Sequence, residues 1–115
     1  MENSPRLSAS ARAAIANTGN EKLLSIASLW EIAIKVSIGK LTLAKPFDEI
    51  VNDLVANRLI TVVPILAAHL KLVVTLPHHH GDPFDRVIIA QAQHGALTVV
   101  GNDPAFDEYG VARLW

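Results

Sequence analysis

No cysteine occurs in the 115 residues, and that absence removes disulfides, thiolate nucleophiles and cysteine zinc sites together. It is compatible with a reducing, cytoplasmic compartment. An excess of either charge is missing too: ten Lys and Arg against eleven Asp and Glu leave a formal net charge of −1. There is no basic balance that would by itself attract nucleic acid, so any role on RNA or DNA must rest on local chemistry. A long uninterrupted apolar run is also lacking, because the most apolar region, Leu59 to Leu76, is broken by Pro64, His69 and Lys71, which makes it a poor membrane span. The opening MENSPRLSAS is polar with no apolar centre, unlike a secretory signal. A soluble protein with no membrane partner is expected. Half of the residues are apolar and the mean hydropathy is +0.31. That is high for a small soluble chain, and implies either apolar surface that meets a partner or second copy, or a parallel sheet buried on both faces. The length is that of one compact domain spanning residues 1–115.

Apolar spacing divides the chain into alternating helices and short strands. Ser8 to Asn17 is an alanine-rich helix closed by Asn17, Thr18 and Gly19. Leu23 to Ala27 (LLSIA) reads as a buried strand, and Ser28 then caps a helix with Trp30, Ile34 and Ile38 along its apolar side and Gly39 at its end. Pro46 opens the helix PFDEIVNDLVAN, with Phe47, Ile50, Val51 and Leu54 on one face. Leu59 to Ile65 is a β-branched strand that Pro64 confines to an end or edge. Helices over Leu66 to Thr75 and Pro83 to His94, a strand over Leu97 to Gly101 and a last one over Val111 to Trp115 complete the series. The alternation predicts an α/β fold with a parallel sheet covered by helices. No internal repeat, low-complexity segment or linker is present.

In such folds the strand-to-helix turns open at the carboxyl edge of the sheet. Glu31, Asp85 and Asp103 fall at or near three of these turns. Each has an ordinary explanation. SLWE, Ser28 to Glu31, has the spacing of a capping box; Asp82, Pro83 and Asp85 fit cap, first and third helical residues; Asp103 before Pro104 suits a turn or cap. As a set, three carboxylates on one edge would repel one another unless a divalent cation lay between them. Hard oxygen donors select magnesium or manganese, and a cation of that kind suits phosphodiester hydrolysis. His78, His79 and His80 are adjacent, a spacing that does not readily converge on one zinc ion, and read better as a solvated loop near phosphate. Arg86 and Lys35 are candidates to hold substrate phosphates at the rim, Lys35 being equally explained as a surface partner of Glu31. Trp30 and Trp115 are assigned no chemistry.

The blocks SIASLWEIAIKVSIGKL (Ser25 to Leu41), LPHHHGDPFDRVIIAQAQ (Leu76 to Gln93) and LTVVGNDPAFDEYGV (Leu97 to Val111) together resemble PIN-domain ribonucleases, particularly the toxins of VapC type. The resemblance runs over nearly the whole chain, with the blocks in the family's order. It implies a three-layer PIN-like sandwich and a cytosolic toxin paired with an antitoxin, usually dimeric, cleaving RNA endonucleolytically with Mg2+ or Mn2+. Carried over by position, Glu31, Asp85 and Asp103 match the family's acids, with Asp82 an auxiliary metal ligand. The departure is at the start. The family opens with a central apolar strand ending in an aspartate, and MENSPRLSASARAAI offers none. Its absence removes one ligand and leaves strand edges that must close up or find a partner. Either the true start lies upstream of Met1, or the chain is a degraded member that binds antitoxin or RNA without cleaving.

Overall fold

A computed structural model describes residues 9–17, 19–79, 81–100 and 103–114. The expectations placed on Ser8, Thr18, His80, Gly101 and Trp115, and on the opening residues before Ser8, lie outside the described residues. The fold is mixed α/β with parallel strand pairs. Its residues form two compact units, Glu21–Pro64 and the remainder from Ile65 onward with the N-terminal helix.

The Glu21–Pro64 unit is built on a parallel pair, β1 (Lys22–Ser25) and β2 (Ile60–Val63), in the register Lys22 opposite Ile60 to Ser25 opposite Val63. Between them run α2 (Ile26–Ser37) and α3 (Phe47–Asn52). The strand ends two residues earlier than LLSIA predicts, because the cap is Ser25 and not Ser28: its hydroxyl accepts the Ala27 N–H at 3.0 Å. Ile26 and Ala27 are therefore helical, Ser28 lies inside α2, and the expected Ser28–Glu31 capping box does not form. The apolar side of α2 also differs from expectation. Ala27 and Leu29 are buried, whereas Ile34 and Ile38 are exposed, as is Trp30. Gly39 terminates the helix at φ +76° as its position predicts. Past α3 the chain passes into a π turn, Asp53–Asn57, where the Asp53 carboxylate accepts from Asn57 Nδ2 at 2.8 Å and Arg58 Nε at 3.2 Å. These hydrogen bonds, Asn57 first, hold the Asp53 carboxyl below its ordinary value. Leu54 is the buried member of the predicted Phe47, Ile50, Val51, Leu54 face, the others being half-buried. β2 stops at Val63, before Pro64.

The second unit contains α1 (Ala9–Ala16), α4 (Ala67–Thr75), α5 (Pro83–Gly95), β3 (Val99–Val100), a 3-10 helix (Pro104–Tyr109) and β4 (Arg113–Leu114). Its core joins Leu76, Ile89, Ala92, Phe106, Tyr109 and Val111, with Ile88, Leu97 and Val99 packed on it. β3 and β4 are parallel, Val99 opposite Arg113. The four strands thus make two separate two-stranded ladders among the described residues. No helix among the described residues is long and apolar enough to cross a membrane.

Two features of this unit give direct stability expectations. Helix α5 ends on Ala96 at φ 52°, ψ 47°, with Leu97 N–H reaching back to Ala92 O at 2.9 Å. A left-handed C-terminal position favours glycine because a Cβ there crowds the following carbonyl. Ala96→Gly is expected to stabilise the fold by about 1 kcal/mol, raising the melting temperature by about 4 °C in thermal denaturation; a lower melting temperature would contradict the account.

His69, 4% exposed, starts α4 by accepting the Leu66 N–H on Nδ1 at 2.9 Å, with its ring edge-on to His94 at 5.1 Å. A protonated Nδ1 could not accept that bond. Burial, followed by the neighbouring His94, holds the His69 pKa below its ordinary 6.5. The native state therefore binds fewer protons than the unfolded chain between the depressed value and 6.5. Its contribution is full above 6.5 and is lost as pH falls toward the native pKa. The melting temperature should decline between about pH 7 and about pH 5, and His69→Gln should flatten that decline; equal slopes in both chains would refute the assignment.

Candidate functional site

The stretch before α5 starts the helix with its acids. Asp82 is the cap: its Oδ1 accepts the Phe84 N–H at 2.9 Å and the Asp85 N–H at 3.2 Å. Pro83 follows as first helical residue, where its missing N–H costs nothing. Asp85 is half-buried in the first turn, where the helix dipole favours a carboxylate.

Arg86 is not a rim residue. It is 7% exposed, and its guanidinium donates from Nη1 to Pro77 O at 2.9 Å and from Nη2 to Val73 O at 3.2 Å and Leu76 O at 3.0 Å. Leu76 and Pro77 lie just past the end of α4, and Val73 O in its last turn also accepts the Leu76 N–H at 3.3 Å. The guanidinium through which Arg86 is expected to hold substrate phosphate is thus buried, with Nη1 and Nη2 engaged by these carbonyls.

The third acid repeats the arrangement of the second. Asp103 caps the 3-10 helix, its Oδ1 accepting the Ala105 N–H at 3.0 Å, with Pro104 at the first position. Two residues the sequence reading passed over hold this turn. Asp107 forms a two-point pair with Arg113, at 2.8 Å to Nε and 2.9 Å to Nη2. That hydrogen bonding holds the Asp107 carboxyl below its ordinary value and raises the Arg113 guanidinium, toward which Asp103 also contributes. Tyr109 closes the 3-10 helix, buried, ahead of Gly110 at φ +71°. Its signal in sequence is slight: one tyrosine in the whole chain, placed before a glycine, with a hydroxyl that must find a partner if buried.

Glu31 belongs to the Glu21–Pro64 unit, midway along α2, where Lys35 Nζ stands 3.3 Å from its Oε2. This is the contact that the surface-partner reading of Lys35 predicts. In the loop before Asp82, His79 Nδ1 lies 3.6 Å from Glu108 Oε2, beyond hydrogen-bond distance.

The donor type, but not its placement, suits a hard divalent cation. Asp82 and Asp103 each cap through Oδ1, and neither Oδ2 has a hydrogen-bond partner among the described residues. Carboxylate oxygens of this kind are ligands for magnesium and manganese rather than softer metals. Among the described residues, no group of three or more His, Asp or Glu side chains stands close enough together to hold a metal ion.

Comparison with protein families matches residues 2–112 to the PIN domain. No curated protein and no solved structure matches the chain.

Proposed function

Because the chain belongs to the PIN-domain family, a family of nucleases, we propose that it is a magnesium- or manganese-dependent endoribonuclease acting as the toxin of a toxin–antitoxin pair. The observation that carries the reading is the repeated use of an aspartate followed by proline at a helix start. Asp82 and Asp103 each cap through one oxygen and retain a second carboxylate oxygen for a ligand. Glu31, Asp85 and Asp103 would hold the cation, with Asp82 auxiliary. A cation bound by them supplies water activation and charge stabilisation on the scissile phosphodiester. The chain's own contribution is to fix the carboxylates: the backbone N–H groups of Phe84 and Asp85 hold the Asp82 carboxylate and that of Ala105 the Asp103 carboxylate, and Arg86 fastens the end of α4 to the start of α5.

An antitoxin and a second copy of the chain are the proposed protein partners, in a cytoplasmic setting. Apolar surface supports this. On α4, Leu66, Leu70 and Val74 recur every fourth residue and are 49%, 50% and 81% exposed, and a stripe of this kind usually meets a partner.

The test is cleavage of a mixed RNA substrate with manganese, with EDTA, and by Glu31→Gln and Asp85→Asn chains. Metal-dependent cutting that both substitutions abolish is the expected result. Cutting unchanged in both would sink the mechanism. A second reading, a relative that binds partner or RNA without cleaving, is favoured by the lack of a gathered three-ligand group among the described residues. It predicts no manganese heat in calorimetry and no cleavage by a folded chain.

A further inference from the structure

Helix α4 is fastened at its two ends by side chains of different chemistry. Its cap, Leu66, has no polar side chain to take a first-turn amide, and the side-chain bond that closes the start comes instead from His69, whose Nδ1 accepts the Leu66 N–H at 2.9 Å. The Leu66 carbonyl in turn accepts the His69 N–H at 3.0 Å and the Leu70 N–H at 3.2 Å. At the other end the Arg86 guanidinium, reaching over from α5, donates to the carbonyls of Val73, Leu76 and Pro77.

The two fasteners respond differently to acid. A guanidinium stays charged at any ordinary pH and goes on donating. A neutral imidazole that accepts on Nδ1 carries its proton on Nε2, so Nδ1 is the nitrogen that takes a second proton, after which the Leu66 N–H meets another N–H. Burial first, and His94 second, oppose a charge on His69. His94 faces it from the packed helix α5, its ring edge-on at 5.1 Å, while Arg86 of that helix is engaged at the far end and Lys71 of α4 itself is exposed. No carboxylate lies within ion-pair distance of His69 among the described residues. An imidazolium at this place is therefore relieved by opening to water and not by pairing. The turn is fully closed above about pH 6.5 and is released as pH falls toward the depressed native value.

We propose that the first turn of α4 is an acid-opened gate hinged at Arg86: a proton on His69 Nδ1 releases the turn over residues 66–70, while the end that Arg86 holds stays clamped to α5. The opening is local, a unit smaller than the fold. Global stability falls with it, but this turn is the first structure lost. Its consequence is at the surface. Leu66 and Leu70, 49% and 50% exposed, belong to the turn that opens, and Val74 to the end that stays. The apolar stripe they form is continuous at neutral pH and broken in acid, so a protein docked along it would be shed on acidification.

The deciding experiment is amide hydrogen exchange, followed by NMR on the 115-residue chain at about pH 7 and about pH 5 and corrected for the intrinsic rate at each, with the His69 ring nitrogens titrated alongside. At the higher pH the ring should show a bare Nδ1 and a protonated Nε2, with the Leu66, His69 and Leu70 amides protected. At the lower pH these three should exchange within about tenfold of an unstructured chain, while Leu76, Ile89 and Ala90 stay protected at least about 100-fold. His69→Gln offers a side-chain oxygen to the same amide and does not titrate, so it should keep the turn protected at both pH values. If that variant does not fold, the wild type decides: loss of protection must follow the His69 ring titration and stop short of Leu76. First-turn amides that keep their protection in acid, or lose it only together with Leu76 and Ala90, overturn the proposal. A folded His69→Gln chain that opens in acid as the wild type does overturns it equally.

Discussion

A chain carrying Arg86→Met should melt about 10 °C or more below the parent. Methionine fills much of the same space but donates nothing, so the carbonyls of Leu76 and Pro77 lose the guanidinium, and Val73 O keeps only the Leu76 N–H. Hydrogen bonds from a charged donor contribute about 1.5 to 3 kcal/mol each, and buried acceptors left without partners cost about 1 to 3 kcal/mol. Relief of the cost of burying the guanidinium offsets part of the loss. A net destabilisation of about 3 kcal/mol corresponds to about 10 °C for a domain of this size. Arg86→Lys should fall between, because an ammonium keeps the charge but cannot reproduce the planar fork that serves carbonyls from successive turns. A methionine variant melting within about 2 °C of the parent would show that the three contacts are not what holds α4 to α5.

Asp85→Asn is expected to reduce metal-dependent RNA cleavage by about 100-fold or more, while lowering the melting temperature by only a few degrees. The separation of the two effects is the point of choosing asparagine. Size is conserved, and Asp82, not Asp85, accepts the first-turn amides of α5. The fold loses a favourable carboxylate near the helix N-terminus, about 0.3 to 1 kcal/mol. Activity, on the proposed role of Asp85, loses a negative ligand oxygen. If cleavage and melting temperature fell together in proportion, the acid would be a structural cap and nothing more. Circular dichroism melts run beside the cleavage assay distinguish the outcomes.

Much of the element order could be read from sequence because it depends on local signals. Pro83 after Asp82, Pro104 after Asp103 and Gly39 beyond α2 stand where backbone chemistry requires them, and the structure uses them so. The α2 boundary was misread for a physical reason. Leu23 to Ala27 is apolar throughout, and an apolar run of that length is compatible with strand or helix; the choice fell to which of two serines, Ser25 or Ser28, captured the amides. The Ile34 and Ile38 side of α2 was taken for core since periodicity reports an apolar face without saying what lies against it.

Around the candidate site, the helix-start roles of the aspartates were legible in sequence and the contacts that surround them were not. Asp82, Asp85 and Asp103 carry proline and turn signals beside them, whereas Arg86 looks like a phosphate ligand until the α4 carbonyls are seen around it. Tyr109 is 30 residues from the amide it accepts, and no local pattern encodes a contact of that range.

The capping role of Asp82 and Asp103 bears on descent, because the proposed cation would ask for the same side chains. Capping a helix and binding a cation ask for the same side chain, so a lineage that had abandoned the reaction would still be under selection to keep both aspartates for as long as it kept its helices. Their survival records the inheritance of a fold as much as of an activity. Glu31 carries a different record: midway along α2, with Lys35 as its surface partner, it is released from selection much sooner once cleavage no longer matters. Loss of the acid at position 31 beside retention of both aspartates is what such a lineage would show.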